Sequence, residues 1–292
     1  MRCVIEMLDN ISTVICVKNG EKTLEKCLKS IIRNSPLEII IVDGGSKDCT
    51  IEIAKKYTDK IFSDGGRGLA YARQLGAEKA KGEYVAYIDA DAELPNENVL
   101  SLMLKELKEN EWIAIHAQLI DPREDKTYWV KGEDFHRRNR CNKPGERRYL
   151  DTIVCLIKRD TILRYRFDPF FNGAAEDGDF YHRVGNDDYK FGVSKVVAYH
   201  YHRASFIDFV KQRIWYGKGD ARAIWKHKAI SLLLVPGIVL KDGIFLCTRH
   251  QKLLLIPFYF VWAVFLFIGM IEGLCELLYQ KFLNIIQRKV IS

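Results

Sequence analysis

The run Gly82-Glu83-Tyr84-Val85-Ala86-Tyr87-Ile88-Asp89-Ala90-Asp91 ends an apolar, β-favouring stretch in two aspartates one residue apart. On extended backbone the side chains at i and i+2 point the same way, so Asp89 and Asp91 can aim both carboxylates at one hard cation. Mg²⁺ or Mn²⁺ takes oxygen ligands of this kind and completes its shell with phosphate oxygens. By itself an Asp-x-Asp pair is as often a turn or a cap. Its weight comes from the elements that must position it.

Ser12–Val17 reads as a strand, Lys22–Ile32 as a helix with Leu24, Cys27, Leu28 and Ile31 on one side, and Glu38–Val42 as a second strand. A helix over Cys49–Tyr57, a short strand from Ile61, a helix over Gly68–Lys79 and the strand Tyr84–Ile88 follow. This alternation predicts right-handed crossovers and a mostly parallel sheet. Ligands of such sheets bind beyond the carboxyl ends of the strands. Three polar clusters fall there: Lys18-Asn19-Gly20-Glu21, Asp43-Gly44-Gly45-Ser46 and Asp89-Ala90-Asp91. Further on, Val99–Lys108 is expected as a helix, Trp112–Leu119 as a strand, and Tyr128–Arg148 as a loop-rich segment. Its basic run, Arg137 to Arg148, is read as a solvated surface, or else as a mobile lid or acceptor-site loop that meets phosphate.

From about Ala229 the composition turns apolar, and Leu253–Ile271 runs nineteen residues without a charge. At 1.5 Å per residue that is roughly 28 Å, against a hydrocarbon core of about 30 Å. The segment is expected to span or insert deeply into a membrane; an apolar hairpin packed on the protein or on a partner copy is the other reading. Lys226, Lys228, Arg249 and Lys252 precede the span and would keep the larger part cytoplasmic. Glu272–Arg288 reads as an amphipathic interfacial helix. The whole chain has 292 residues, with 45 Lys and Arg against 38 Asp and Glu, a formal charge of +7 that suits anionic partners. Eight cysteines without C-x-x-C spacing, among them Cys155, Cys247 and Cys275, read as buried thiols of a reducing compartment. Glu6 and Asp9 interrupt what a signal peptide would need as an apolar core.

Taken together, Val14 to Glu21, Ile41 to Thr50 and Gly82 to Asp91 resemble the nucleotide-sugar half of a family 2 glycosyltransferase with the GT-A fold. The resemblance covers roughly residues 11 to 220. It implies an inverting, membrane-associated transferase of cell-envelope glycan or glycoprotein synthesis that binds a nucleoside diphosphate sugar with Mg²⁺ or Mn²⁺. The implied layout is a catalytic domain over residues 1–225, with a nucleotide-sugar half at about 11–95 and an acceptor half at about 96–225, and a helical membrane-associated region over 226–292. On the family pattern Asp43 holds the nucleotide base, with Asn19, Glu21 and Gly45 beside it. Asp89 and Asp91 stand at the ribose and the metal diphosphate, and Arg67 and Arg73 are candidates for diphosphate or base contacts.

Asn172-Gly173-Ala174-Ala175-Glu176-Asp177-Gly178-Asp179 resembles the family's acceptor-side Glu-Asp motif. Displacement at an anomeric carbon by a hydroxyl needs a carboxylate to take the proton. Asp177 is assigned that role, with Glu176 orienting the acceptor and Asp179 capping a helix that begins near Phe180. His200 or His202 would complete the metal or diphosphate site, with His200 favoured. The segment Lys211-Gln212-Arg213-Ile214-Trp215 is a loose form of the family's Gln-x-x-Arg-Trp, which favours single transfers over polymerisation and leaves Arg213 and Trp215 as contacts to diphosphate and acceptor.

The Glu-Asp pair argues for a hydroxyl acceptor, since a phosphate acceptor is already ionised. The apolar tail suggests that the hydroxyl belongs to a lipid-linked saccharide or glycolipid, or to another glycan. A polyprenyl-phosphate glycosyltransferase and a non-catalytic membrane-surface binding protein are the alternatives. A dinucleotide-dependent oxidoreductase is set aside because no G-x-G-x-x-G follows the first strand. Nucleic acid is not an expected partner, because the basic run carries no stacking platform. The tail could also bury itself in a second copy of the chain.

Overall fold

The alternating apolar runs pair, in a computed structural model, into a mixed nine-stranded sheet among the described residues, 10–291, with side chains described to residue 287. Glu6 and Asp9 lie outside them. The first half holds β1 (Ile11–Val17), α1 (Leu24–Ile32), β2 (Glu38–Asp43), α2 (Thr50–Ala54), β3 (Ile61–Ser63), α3 (Leu69–Lys79) and β4 (Tyr84–Ile88). Strands β3, β2, β1 and β4 lie side by side in that order and are all parallel. Every residue of β2 and β4 is buried, as expected for strands covered on both faces. α1 turns Leu24, Cys27, Leu28 and Ile31 into the core, the spacing that the sequence shows. The parallel register brings Val17 opposite Asp43, which sets the first two polar clusters next to each other at the carboxyl edge.

Beyond β4 come β5 (Ala92–Glu93), α4 (Val99–Glu109), β6 (Ala114–Ile120), α5 (Tyr128–Arg140), β7 (Gly145–Arg147), β8 (Val154–Lys158), α6 (Arg159–Tyr165), α7 (Glu176–Gly185) and β9 (Phe191–His200). Here the sheet is no longer parallel throughout. β8 inserts antiparallel between β4 and β6, while β9 runs parallel to β6 and antiparallel to β5 and β7.

Tyr128–Arg148 is not loop-rich: most of it is helix α5, followed by strand β7. The basic residues hid the helix because two of them, Arg137 and Arg138, are neutralised, one by a residue beyond the helix and one within it. Arg138 pairs with Asp134 one turn earlier, and Arg137, only 8% exposed, donates to Asp151 at 2.8 Å. Arg137 is therefore neither a solvated surface cation nor part of a lid. Asp179 also departs from expectation. α7 starts at Glu176, so Asp179 sits inside its first turn and pairs with Arg183 at 2.8 Å instead of capping the helix.

The chain forms two compact units. One comprises the chain up to Glu124, Asp134–Asn172 and Glu176–His202. The other comprises Asp125–Glu133, Gly173–Ala175 and the chain from Arg203 on; it holds α8 (Phe206–His227), α9 (Val235–Arg249) and α10 (Ile256–Ile291). The expected span and interfacial helix are one continuous element, α10, which runs unbroken through Gly273, where the chain packs against Ala221 and Lys218. No disulfide joins the described cysteines; Cys155 and Cys247 are buried, whereas Cys275 is exposed on α10.

Gly76 on α3 marks the closest approach of that helix to β1. A Cβ there would stand 2.3 Å from Val14 Cγ1. Overpacking of this kind costs ~1–3 kcal/mol, and alanine's better helix propensity returns at most about 1 kcal/mol. Gly76→Ala is expected to lower unfolding free energy in urea by about 1–2 kcal/mol. A cycle with Val14→Ala should show a coupling of about 1 kcal/mol or more between the two sites.

Candidate active site

The pairing of β5 with the end of β9 builds a cluster of potential ligands. Ala92 lies opposite His200 and Glu93 opposite Tyr199, so the chain that has just passed Asp89 and Asp91 is laid against His200. The Asp89 N–H donates to Ile153 O at 2.8 Å, and Asp91 O accepts the Tyr201 N–H at 3.1 Å, which fixes both ends of the turn. One oxygen or nitrogen from each of Asp89, Asp91 and His200 lies within 4.8 Å of the others, and His200 Nε2 is 3.4 Å from Asp91 Oδ1. Two carboxylates and an imidazole fit Mg²⁺ or Mn²⁺, with the nitrogen ligand better suited to the softer Mn²⁺. His200 Nδ1 is buried and makes no hydrogen bond. His202 stacks edge-on against His200 at 5.0 Å between ring centres, but lies past the strand end, where its N–H donates to Asp121. The structure therefore groups His200, and not His202, with the two aspartates.

Next to this cluster is a buried guanidinium. Arg73, on α3, is 4% exposed and forms an ion pair with Glu176, itself 3% exposed, while its other nitrogen lies 3.6 Å from Asp89 Oδ1. Charges removed from water need such pairing. Glu176 opens α7 and precedes Asp177, whose N-terminal position also places negative charge at the favourable end of the helix dipole. Ala175, just before, has a φ of 70°, a conformation uncommon for a residue with a Cβ and one often stored at functional sites. Burial pushes the Asp89 carboxyl up to about 6, against the lowering effect of Arg73, and Asp91 and Asp177 push it the same way as burial. Asp177 is likewise raised, by burial first and by Asp151 as well, with Arg73 opposing. Asp89, Asp91, His200, Arg73 and Asp177 thus lie within electrostatic reach of one another. Arg73 divides its charge between Glu176 and Asp89.

The remaining nucleotide-side residues are largely engaged with backbone. Asp43 accepts the N–H groups of Gly45 and Ser46 at 3.0–3.2 Å, and Gly45 takes the φ of +81° that this turn requires. Asn19 Oδ1 accepts Lys47 N–H and Asn19 N–H donates to Ser46 Oγ, while Glu21 accepts Cys49 N–H. The first two polar clusters are therefore stitched into one rigid rim. Arg67 is exposed and lies over the Tyr71 ring at 3.4 Å, with Nε donating to Asp64 O.

Two groups of residues escaped the sequence reading. Asp64 accepts the N–H groups of Gly66 and Gly68 and so organises the loop that carries Arg67; three glycines in four residues after a strand was the available signal. Gly68 has no room for a side chain, since a Cβ would meet Asn172 O at 2.2 Å. The second group is Asp151, Arg137 and His116. Burial lowers His116 to about 4, and Asp151 is brought down to about 2 by Arg137 and His116 despite desolvation. No spacing connects residues 116, 137 and 151; the pairing of His116 with Cys155 across β6 and β8 and the Arg137–Asp151 ion pair do.

Arg213 and Trp215 belong to the helical unit. Arg213 is 1% exposed, lies 3.3 Å from Glu133 and is enclosed by the rings of Phe209, Tyr216 and Trp262 at 4.2–4.8 Å. Trp215 is 41% exposed and packs over Gly173.

Residues 12–168 match the profile of Glycosyl transferase family 2. A cholesterol galactosyltransferase of Borreliella burgdorferi is 38% identical over 104 residues, 33% of this chain and 28% of that protein. A 4,4'-diaponeurosporenoate glycosyltransferase of Staphylococcus haemolyticus is 35% identical over 108 residues, 34% of this chain and 29% of that protein. The matched region thus spans under a third of either relative. The fold is that of a mannosyltransferase from Pyrobaculum calidifontis solved with GDP-Man and Mn²⁺, at 16% identity and a TM-score of 0.65 over 91% of this chain and 87% of that one. S. aureus TarS 1-349 solved with UDP-GlcNAc is similar at 15% identity and a TM-score of 0.51, covering 93% and 92% of the two chains. With more than half of its residues inside the family profile and GT-A neighbours across most of its length, the chain belongs to glycosyl transferase family 2.

Proposed function

We propose that this protein moves a sugar from a nucleoside diphosphate sugar to a hydroxyl acceptor, with inversion at the anomeric carbon. The observation that carries the reading is the joining of Asp89, Asp91 and His200 to the α7 turn that bears Asp177. A divalent cation held by Asp89, Asp91 and His200 would neutralise the diphosphate and make it a better leaving group. Asp177 takes the proton from the acceptor hydroxyl as its oxygen bonds to the anomeric carbon. The bond from that carbon to the diphosphate oxygen breaks, and the nucleoside diphosphate departs with the electron pair. A single displacement of this kind inverts the centre. Arg73 and Glu176 act on the position of the Asp177 turn, and Asp43 with Asn19 and Glu21 shapes the nucleotide rim.

The two long apolar helices of residues 230–287 support a membrane-associated protein, and the flanking cations support a catalytic part on the cytoplasmic face. In this reading residues 1–225 do the chemistry and 226–292 hold the membrane. A cholesterol galactosyltransferase among the relatives favours an acceptor with apolar character, in keeping with a glycolipid or lipid-linked saccharide.

A thermal-shift screen of UDP-, GDP- and dTDP-sugars with and without Mn²⁺ should single out one donor base, since a ligand at a hundredfold excess over its Kd adds about 2.7 kcal/mol of stability. Asp91→Asn is expected to lose the metal-dependent part of that shift. Asp177→Asn is expected to keep it while transfer falls by about 10²- to 10⁴-fold. Equal donor binding in both variants and unchanged transfer would sink this division of roles.

The pH profile has a defined sign. Asp177 works as the carboxylate, and its raised proton affinity places the acid limb of transfer above the ordinary aspartate range. Asp151→Asn removes a raising influence and should move that limb to lower pH; Arg73→Met removes a lowering one and should move it higher. Movement of both limbs in the same direction would contradict the assignment.

A further inference from the structure

The helical unit carries an apolar surface whose partner can be identified from what already covers its other side. α10 and the helical segment before it are each long and apolar enough to cross a bilayer. Yet α10 is taken along one face by α8, from Phe258 to Lys281. Phe258 packs on Phe209, and the backbones meet where a Cβ on Gly217 would touch Leu266 O at 2.2 Å and one on Gly269 would touch Ile214 O at 2.2 Å. Lys218 pairs with Glu272 and Glu276, and farther along Lys281 lies over the Trp225 ring. α8 is a charged helix, with Asp208, Lys211, Lys218, Asp220, Arg222 and Lys226 on its surface. If α10 crossed a hydrocarbon core, α8 would be carried in beside it, and every one of those charges would have to be desolvated.

The opposite face of α10 is bare. Phe260, Val264, Phe267, Ile271, Leu278 and Phe282 are exposed at spacings of three, four and seven, a single stripe. With Ile285 the stripe is about 38 Å long, more than the ~30 Å of a hydrocarbon core. α9, packed on α10 through Gly243 against Tyr259, adds Ile238, Ile244 and Phe245 to the exposed apolar surface. The charge beside this surface is one-sided: from Arg222 to Lys289 there are nine Lys and Arg against three Asp and Glu. Exposed Lys228, Arg249, Lys252 and Lys281 flank the apolar stripe, an arrangement that suits anionic headgroups over neutral ones.

We infer that α9 and α10 lie in the plane of one leaflet of an anionic membrane as a monotopic hairpin and do not cross it. The apolar stripe enters the headgroup and acyl boundary, α8 stays on the aqueous side, and the turn at residues 250–252 remains on the same side of the membrane as α8. This rests on the membrane association proposed above and specifies its geometry.

The test uses the full chain and sealed vesicles of phosphatidylcholine with phosphatidylglycerol. A membrane-impermeant maleimide is applied to bound wild-type protein and to Lys252→Cys, before and after detergent. Extra labelling of Lys252→Cys before detergent, equal to that after it, is the expected result. Labelling that needs detergent would mean that the hairpin crosses, which overturns the in-plane placement and leaves membrane association standing. Failure to float with the vesicles would overturn both, and a dimer in sedimentation would then assign the stripe to a second copy. Binding is also expected to fall by about 25-fold when Arg249→Gln and Lys252→Gln are combined, at about fivefold per lost cation; an unchanged partition would overturn the anionic-lipid part. Donor binding, read on the same preparation by the nucleotide-sugar thermal shift, reports separately on the transferase reading.

Discussion

A guanidinium buried among carboxylates is the constraint on which the rest of the site depends. Arg73 cannot remain charged at 4% exposure without partners, and it has two, on different elements: Glu176 at the start of α7 and Asp89 at the end of β4. Meeting both obliges the α7 turn to dock beside the end of β4. Asp177, one residue on, is thereby held near Asp89 without touching Arg73 itself in an ion pair. α3, which supplies Arg73, is in turn fixed by two glycines: Gly68 lets the chain meet Asn172, and Gly76 lets the helix settle on Val14. Removing the charge alone would leave Glu176 buried and unpaired, which costs more than the pair contributes.

The same crowding sets the chemistry of the site. Burial disfavours the ionised forms of Asp89 and Asp177, and the neighbouring carboxylates add to that. Such a group of acids would gain most from a cation, so the fit to a divalent ion that we propose rests on the arrangement as a whole and not on the Asp-x-Asp spacing. The nucleotide rim behaves differently. Asp43, Asn19 and Glu21 bind backbone N–H groups of the adjoining turns, so they hold the rim's shape before any ligand arrives.

Much of the nucleotide half was legible in the sequence because its determinants are local. The alternation of β1, α1, β2, α3 and β4 is written in apolar periodicity, and the polar clusters at their ends follow from the parallel topology. The Asp89, Asp91 and His200 grouping was also reachable, although the choice between His200 and His202 required the β5 to β9 register. What was not legible depends on pairing across distance. Arg137 looked like one of a solvated basic run until Asp151 was brought to it, and His116 carries no motif at all. Arg73 was visible only as a candidate donor contact, because nothing in the sequence relates residue 73 to residue 176. The interfacial helix read at Glu272 proved to be the continuation of the preceding apolar helix, since charge at 272 and 276 is neutralised by Lys218 from a different element.

The central claim is that this constellation holds a divalent cation together with a nucleoside diphosphate. Electron paramagnetic resonance of Mn²⁺ tests it most directly, titrating the full chain in the presence of UDP, GDP or dTDP and reading the loss of the free-ion signal. The account predicts that one of these nucleotides, with the protein, removes free Mn²⁺ in proportion to protein well beyond what nucleotide alone removes. A free-ion signal that protein leaves unchanged with all three nucleotides would contradict it.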